Sequence, residues 1–187
     1  MPGKSLRRPE DADGARPREL LLLRHGKSSW DSDARSDLER PLAKRGRKDA
    51  PRVGAWLRRR GLVPDLVLAS PARRARQTAL LLLESLGMEE EVVRWDPALY
   101  GTGLEAHLRV LAGVPRSARR VLLVGHNPDL EDLLHHLGGP GVEVPEDGKL
   151  LVTAAVAILR MPADWGRLPG GCAGVEGILR PGDLSGD

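Results

Sequence analysis

Leu20 Leu21 Leu22 Leu23 Arg24 His25 Gly26 is the stretch on which the reading of this chain turns. A short, continuous apolar run that passes directly into polar residues looks like a strand buried on both faces and ending in a loop. Two later segments repeat the pattern. Leu66 Val67 Leu68 Ala69 runs into Ser70 Pro71, and Val121 Leu122 Leu123 Val124 runs into Gly125 His126 Asn127 Pro128. In both, the strand is expected to hand over to a helix capped by Ser70 or Asn127, with proline at the first helical position.

The segments between read as helices. Ala50, Val53, Trp56 and Leu57 form one apolar stripe, in which Pro51 must start, kink or split the helix. Ala75, Thr78, Ala79, Leu82 and Leu86 form a second, closed by Gly87. Leu104, Leu108 and Leu111 mark a third between Gly103 and Gly113, and Leu130, Leu133, Leu134 and Leu137 a fourth, ended by Gly138 and Gly139. Val152 to Leu159 is the most strand-like stretch, and Gly174 to Arg180 is placed to pair with it across a loop rich in proline and glycine. This alternation predicts an α/β protein, and ligands of such folds bind beyond the carboxyl ends of the strands.

Composition bounds the rest. The 187 residues, 41% hydrophobic and 29% charged, fit one globular domain over 19–187, behind a tail over 1–18 in which proline, glycine and charge leave nothing to bury. No apolar run approaches the roughly 18 residues of a membrane span, so neither an anchor nor a secretory signal is expected and the cytoplasm is the default. Cys172 is the only cysteine, which excludes internal disulfides and multi-cysteine metal sites. Lys and Arg number 29 against 26 Asp and Glu, a balance that favours phosphate-bearing partners. An aromatic content of 3% argues against a nucleic-acid module built on base stacking.

Three strand ends converge on one chemistry: Arg24 and His25, then Ser70 with Arg73 and Arg74, then His126 and Asn127. Arginine offers a planar donor fork that matches phosphoryl oxygens and keeps its charge. An unprotonated histidine among such groups can attack phosphorus and form a phosphoramidate that water later cleaves. Other candidates fail on spacing. Cys172 and Arg180 are too far apart for a cysteine phosphatase loop, Gly141 to Lys149 is not a Walker loop, and adjacent His135 and His136 cannot share a helix face to hold a metal.

Four segments, in order, resemble the histidine phosphatase (phosphoglycerate-mutase-like) superfamily and its SixA-type branch. They are Leu22 to Trp30 with its Arg-His-Gly core, Asp37 to Gly46, Ser70 to Ala79 and Val124 to Pro128, with a weaker echo in Ile178 to Pro181. The resemblance covers about residues 20 to 160. It implies a three-layer α/β/α sandwich with a mostly parallel central sheet, and a metal-independent phosphatase that needs no cofactor. His25 is then the phospho-accepting nucleophile, Arg24 its phosphate-binding neighbour, Arg74 the second pocket arginine with Arg73 as the near alternative, and His126 the second pocket histidine. Arg40 is expected to line the entrance, with Ser70 and Asn127 as substrate-side or capping residues.

Relatives that cleave phosphate esters supply a carboxylic acid from the region that here reads Tyr100 Gly101 Thr102 Gly103, where Glu105 is the nearest carboxylate and matches no donor pattern. An imidazole leaving group needs far less acid assistance, its unperturbed pKa being about 6.5. The segment between Tyr100 and Val121 has room for one helix, so the cleft is expected to be shallow. A phosphohistidine presented by another protein fits these expectations. A small phosphate ester or nucleotide, a non-catalytic phosphate-binding module and a basic nucleic-acid binder remain the alternatives.

Overall fold

The computed structural model describes residues 17–184. The tail expected over 1–18 lies outside the described residues except at its last two positions, and Arg18 already belongs to the first strand. In chain order the elements are β1 (Arg18–Arg24), α1 (Lys44–Arg59), β2 (Leu66–Ala69), α2 (Arg73–Leu86), β3 (Val93–Trp95), α3 (Leu104–Ala112), β4 (Arg120–Gly125), α4 (Asp129–Gly138), β5 (Val156–Met161) and β6 (Gly174–Leu179). They form one six-stranded sheet in the order β3-β2-β4-β1-β5-β6. The first four strands in that order are parallel, β5 adds antiparallel to β1, and β6 adds antiparallel to β5.

The leucine run is fully buried because its alternating side chains feed two different cores. Leu20 and Leu22 pack with Val110, Leu111, Leu130, Leu133 and Leu134 from α3 and α4. Leu21 and Leu23 pack with Val53, Leu57, Ala75, Ala79 and Leu82 from α1 and α2. In β4, Val121 and Leu123 join the first core while Leu122 and Val124 join the second. Burial on both faces is what lets a strand dispense with polar alternation. The result is an α/β/α sandwich with a mostly parallel sheet.

Several local expectations shift. Pro51 neither starts nor splits α1, which runs on through it for 16 residues. β5 begins at Val156 and not at Val152, because residues before it turn back over the end of β1: Ala154 N–H donates to the carbonyl oxygens of both Arg24 (3.1 Å) and His25 (3.2 Å). Ala154 does so at φ 61°, in the left-handed region. The short edge strand β3 carries no apolar run to mark it. Ser70 and Asn127 do not cap helices: α2 starts at Arg73 with Ala72 as its cap, and α4 starts at Asp129 with Pro128 as its cap. Ser70 Oγ instead meets His126, and Asn127 Nδ2 donates to Glu131 and to the Leu151 carbonyl.

Candidate active site

His25 is the first residue past β1, and its backbone N–H continues the ladder to the Gly125 carbonyl at 3.0 Å. Its side chain is buried, with Nδ1 2.7 Å from the Gly26 carbonyl oxygen. A carbonyl can only accept, so Nδ1 carries the proton and Nε2 keeps its lone pair. Arg74 Nε donates to that Nε2 at 3.3 Å. Burial, followed by the charges of Arg74, Arg24 and Arg40, lowers His25 to about 4. The imidazole is therefore neutral at neutral pH, as a nucleophile must be.

His126 enters from the end of β4, its ring centroid 5.0 Å from that of His25. Its Nε2 lies 2.8 Å from Ser70 Oγ, which comes from the end of β2. Burial, followed by the charges of His25 and Arg74, lowers it to about 3. Arg24 reaches across β1 to donate from Nη1 to the Leu151 carbonyl at 2.8 Å. Asn127 Nδ2 donates to the same carbonyl at 3.0 Å and to Glu131 Oε1 at 2.7 Å, while Leu151 N–H donates to Glu131 Oε1 at 2.9 Å. Asn127 thus ties the segment around Leu151 to the start of α4 and does not meet the histidines.

The two adjacent arginines part company. Arg74 is only 4% exposed and touches His25. Arg73 is exposed and lines a neighbouring groove of about 580 Å³, together with Arg35, Leu38, Pro71 and Arg76. α2 is held in place partly by Thr78, whose hydroxyl donates to the Arg74 carbonyl at 2.6 Å and accepts from Gly26 N–H at 3.0 Å.

Asp37, to which the sequence reading assigned no role, is the centre of the polar network. It lies on the short 3₁₀ turn Asp37–Glu39, between β1 and α1. Arg74 Nη2 donates to its Oδ2 at 2.8 Å and Arg74 Nη1 to its backbone carbonyl at 2.6 Å. Tyr100, the only tyrosine of the chain, donates to the same Oδ2 at 2.8 Å and packs T-shaped with the His126 ring, centroids 5.3 Å apart. Arg40 donates from Nε to Oδ1 at 3.0 Å, bonds Ser28 Oγ and stacks over the exposed Trp30 ring at 3.8 Å. Despite some desolvation, these bonds from Tyr100, Arg40 and Arg74 hold the Asp37 carboxyl at about 2. Glu105 is exposed on α3 and pairs with Arg109. Among the described residues, no three His, Cys, Asp or Glu side chains come together as a metal-holding group, and no helix is long and apolar enough to cross a membrane.

This arrangement offers a neutral imidazole with an unprotonated Nε2, a second neutral imidazole and two buried or half-buried guanidinium groups at the carboxyl ends of the parallel strands, the inventory for binding and attacking a phosphoryl group. Comparison with known proteins points the same way. Residues 20–99 match the model of the histidine phosphatase superfamily (branch 1). An uncharacterised protein of Mycobacterium tuberculosis strain H37Rv is 33% identical over 163 residues, covering 85% of this chain and 99% of the relative. The structure of SixA from Nakamurella multipartitia is 30% identical with a TM-score of 0.74, covering 89% of this chain and 98% of that one. A protein histidine phosphatase SixA solved with tungstate is 24% identical with a TM-score of 0.72, covering 89% and 99%. The chain belongs to the histidine phosphatase superfamily, in its SixA-type branch.

Proposed function

We propose that this phosphatase hydrolyses phosphohistidine, presented by another protein, through a phosphohistidine intermediate on its own His25. The observation that carries the reading is the state of the carboxylate that bonds Arg74, Asp37. Asp37 is held at about 2, fully ionised at neutral pH, and so has no proton to give an alkoxide. A phosphohistidine whose second ring nitrogen is protonated departs as neutral imidazole and asks for no such proton. The SixA relative solved with tungstate is itself a protein histidine phosphatase, which supports the same substrate class.

In the proposed reaction, Arg74, Arg24 and His126 hold the phosphoryl oxygens while His25 Nε2 attacks in line. A bond from Nε2 to phosphorus forms as the bond from phosphorus to the substrate imidazole breaks. Water then attacks phosphorus, His25 leaves, and inorganic phosphate is released. Arg74 Nε must first withdraw from Nε2, where it now donates. The test is a panel of a phosphohistidine protein, a phosphorylated sugar and an aryl phosphate, compared by kcat/KM with His25→Ala as the blank. The expected outcome is a preference for the phosphohistidine protein, abolished in His25→Ala. A preference for the sugar phosphate, or turnover by His25→Ala, overturns it.

A further inference from the structure

Among the donors that a phosphoryl group would need, Arg74 is fully engaged in this structure. Both Nη atoms of Arg74 bond to Asp37, one to the carboxylate and one to the backbone carbonyl, and its Nε bonds to the nucleophile. Arg40 is committed to the same carboxylate through Nε and Nη2. Asp37 therefore meets two arginines and Tyr100 with an oxyanion at hydrogen-bond distance, as a substrate oxyanion would. The two partners differ in their freedom. Arg74 is buried, with a side chain 5% exposed, whereas the Asp37 side chain is 44% exposed on a surface turn. The arginine is fixed, and the carboxylate has solvent into which to swing.

We infer that Asp37 is an internal anion that occupies the arginine site of the free enzyme, so that a phosphoryl group enters only by displacing it and the carboxylate sets the threshold of affinity for entry. This rests on the reading of the pocket as a phosphoryl site. Two negative groups cannot share the Arg74 fork without repulsion, so binding of one expels the other. Occupancy by Asp37 lowers the apparent affinity for every incoming anion by the fraction of time that the arginines are open. Weakly held anions are then excluded at ordinary concentrations, while a phosphoryl group that engages Arg74, Arg24 and His126 together gains enough to enter. Removing the carboxylate has the opposite effect to removing a binding residue. It leaves Arg74 buried with a weaker partner, a state that an external anion relieves.

The test is direct binding of inorganic phosphate to the full chain by calorimetry, so that it does not depend on turnover. Asp37→Asn keeps the shape and removes the charge, and Asp37→Ser removes both charge and reach. Asp33→Asn deletes the same charge from an exposed position of the same surface segment, where it bonds neither arginine. The expected result is phosphate affinity tightened roughly two- to fivefold in both Asp37 variants, the factor of a partly exposed ion pair, with Asp33→Asn close to wild type. Unchanged or weaker affinity in the Asp37 variants overturns the inference and makes Asp37 a positioning residue for Arg74. Equal tightening in Asp33→Asn overturns it too, in favour of a general field effect. A chain that binds phosphate as expected but turns over no phosphohistidine sinks the proposed substrate and leaves Asp37 in its role.

Discussion

Arg73 and Arg74 differ by one position in sequence and by 100° around α2, and that rotation decides which of them can meet His25. The reading of residue types could place an arginine at the start of this helix but could not choose between neighbours, because the choice depends on where α2 begins. With the helix starting at Arg73, Arg74 turns inward to His25 and Arg73 turns out to solvent. Removing a preorganised donor from such a site costs on the order of 3 kcal/mol in barrier. Arg74→Ala is therefore expected to lower kcat/KM about a hundredfold or more, while Arg73→Ala stays within about twofold, as for an exposed side chain. Steady-state kinetics on an aryl phosphate compares the two, and an equal loss in both would refute the assignment. Asp37 escaped the sequence reading for a different reason. Its partners Arg74 and Tyr100 lie 37 and 63 positions away, and only tertiary folding brings their donors to one oxygen.

At the scale of elements, the strands of the central sheet and the four helices were legible because burial on both faces and the helical stripe leave strong patterns in residue order. β3 was not, since a three-residue edge strand with half-buried side chains carries no such pattern. Nor was the close contact between the segment after β1 and the start of α1, which depends on the absence of side chains. A Cβ at Gly46 would stand 2.3 Å from the Lys27 carbonyl oxygen and 2.8 Å from its nitrogen. One at Gly54, farther along the same helix, would stand 2.6 Å from the Leu82 carbonyl oxygen in α2. Either alanine must push backbone apart, at a cost of about 1 to 3 kcal/mol. The two should separate in function. Gly46→Ala displaces the segment that follows His25 and is expected to lose activity as well as stability, whereas Gly54→Ala loosens α1 from α2 and keeps kcat. Urea unfolding and kcat measured on both variants test this, and a Gly46→Ala enzyme with full kcat would show that the segment yields without disturbing His25.

For the molecule as a whole, the same burial that prepares the histidines makes the fold sensitive to acid. An unfolded chain protonates histidine as pH falls through about 6.5, whereas the folded chain resists until about 4 at His25 and about 3 at His126. Between those limits the unfolded state binds more protons than the folded state, so stability falls as pH falls. Asp37 continues the trend at lower pH. The unfolded carboxylate protonates near 3.8 and the folded one at about 2, so the stability it contributes is present above that window and is lost on descending through it. All three groups act in the same direction, and the window runs from 6.5 downwards. Urea midpoints are therefore expected to drop steadily from pH 7.5 to 4.5. In His25→Gln, which has no proton to take up at that position, the drop should be shallower. If the midpoint stayed level across this range, the two imidazoles would not be as shielded from water as their burial requires, and the neutral state of His25 would need another origin.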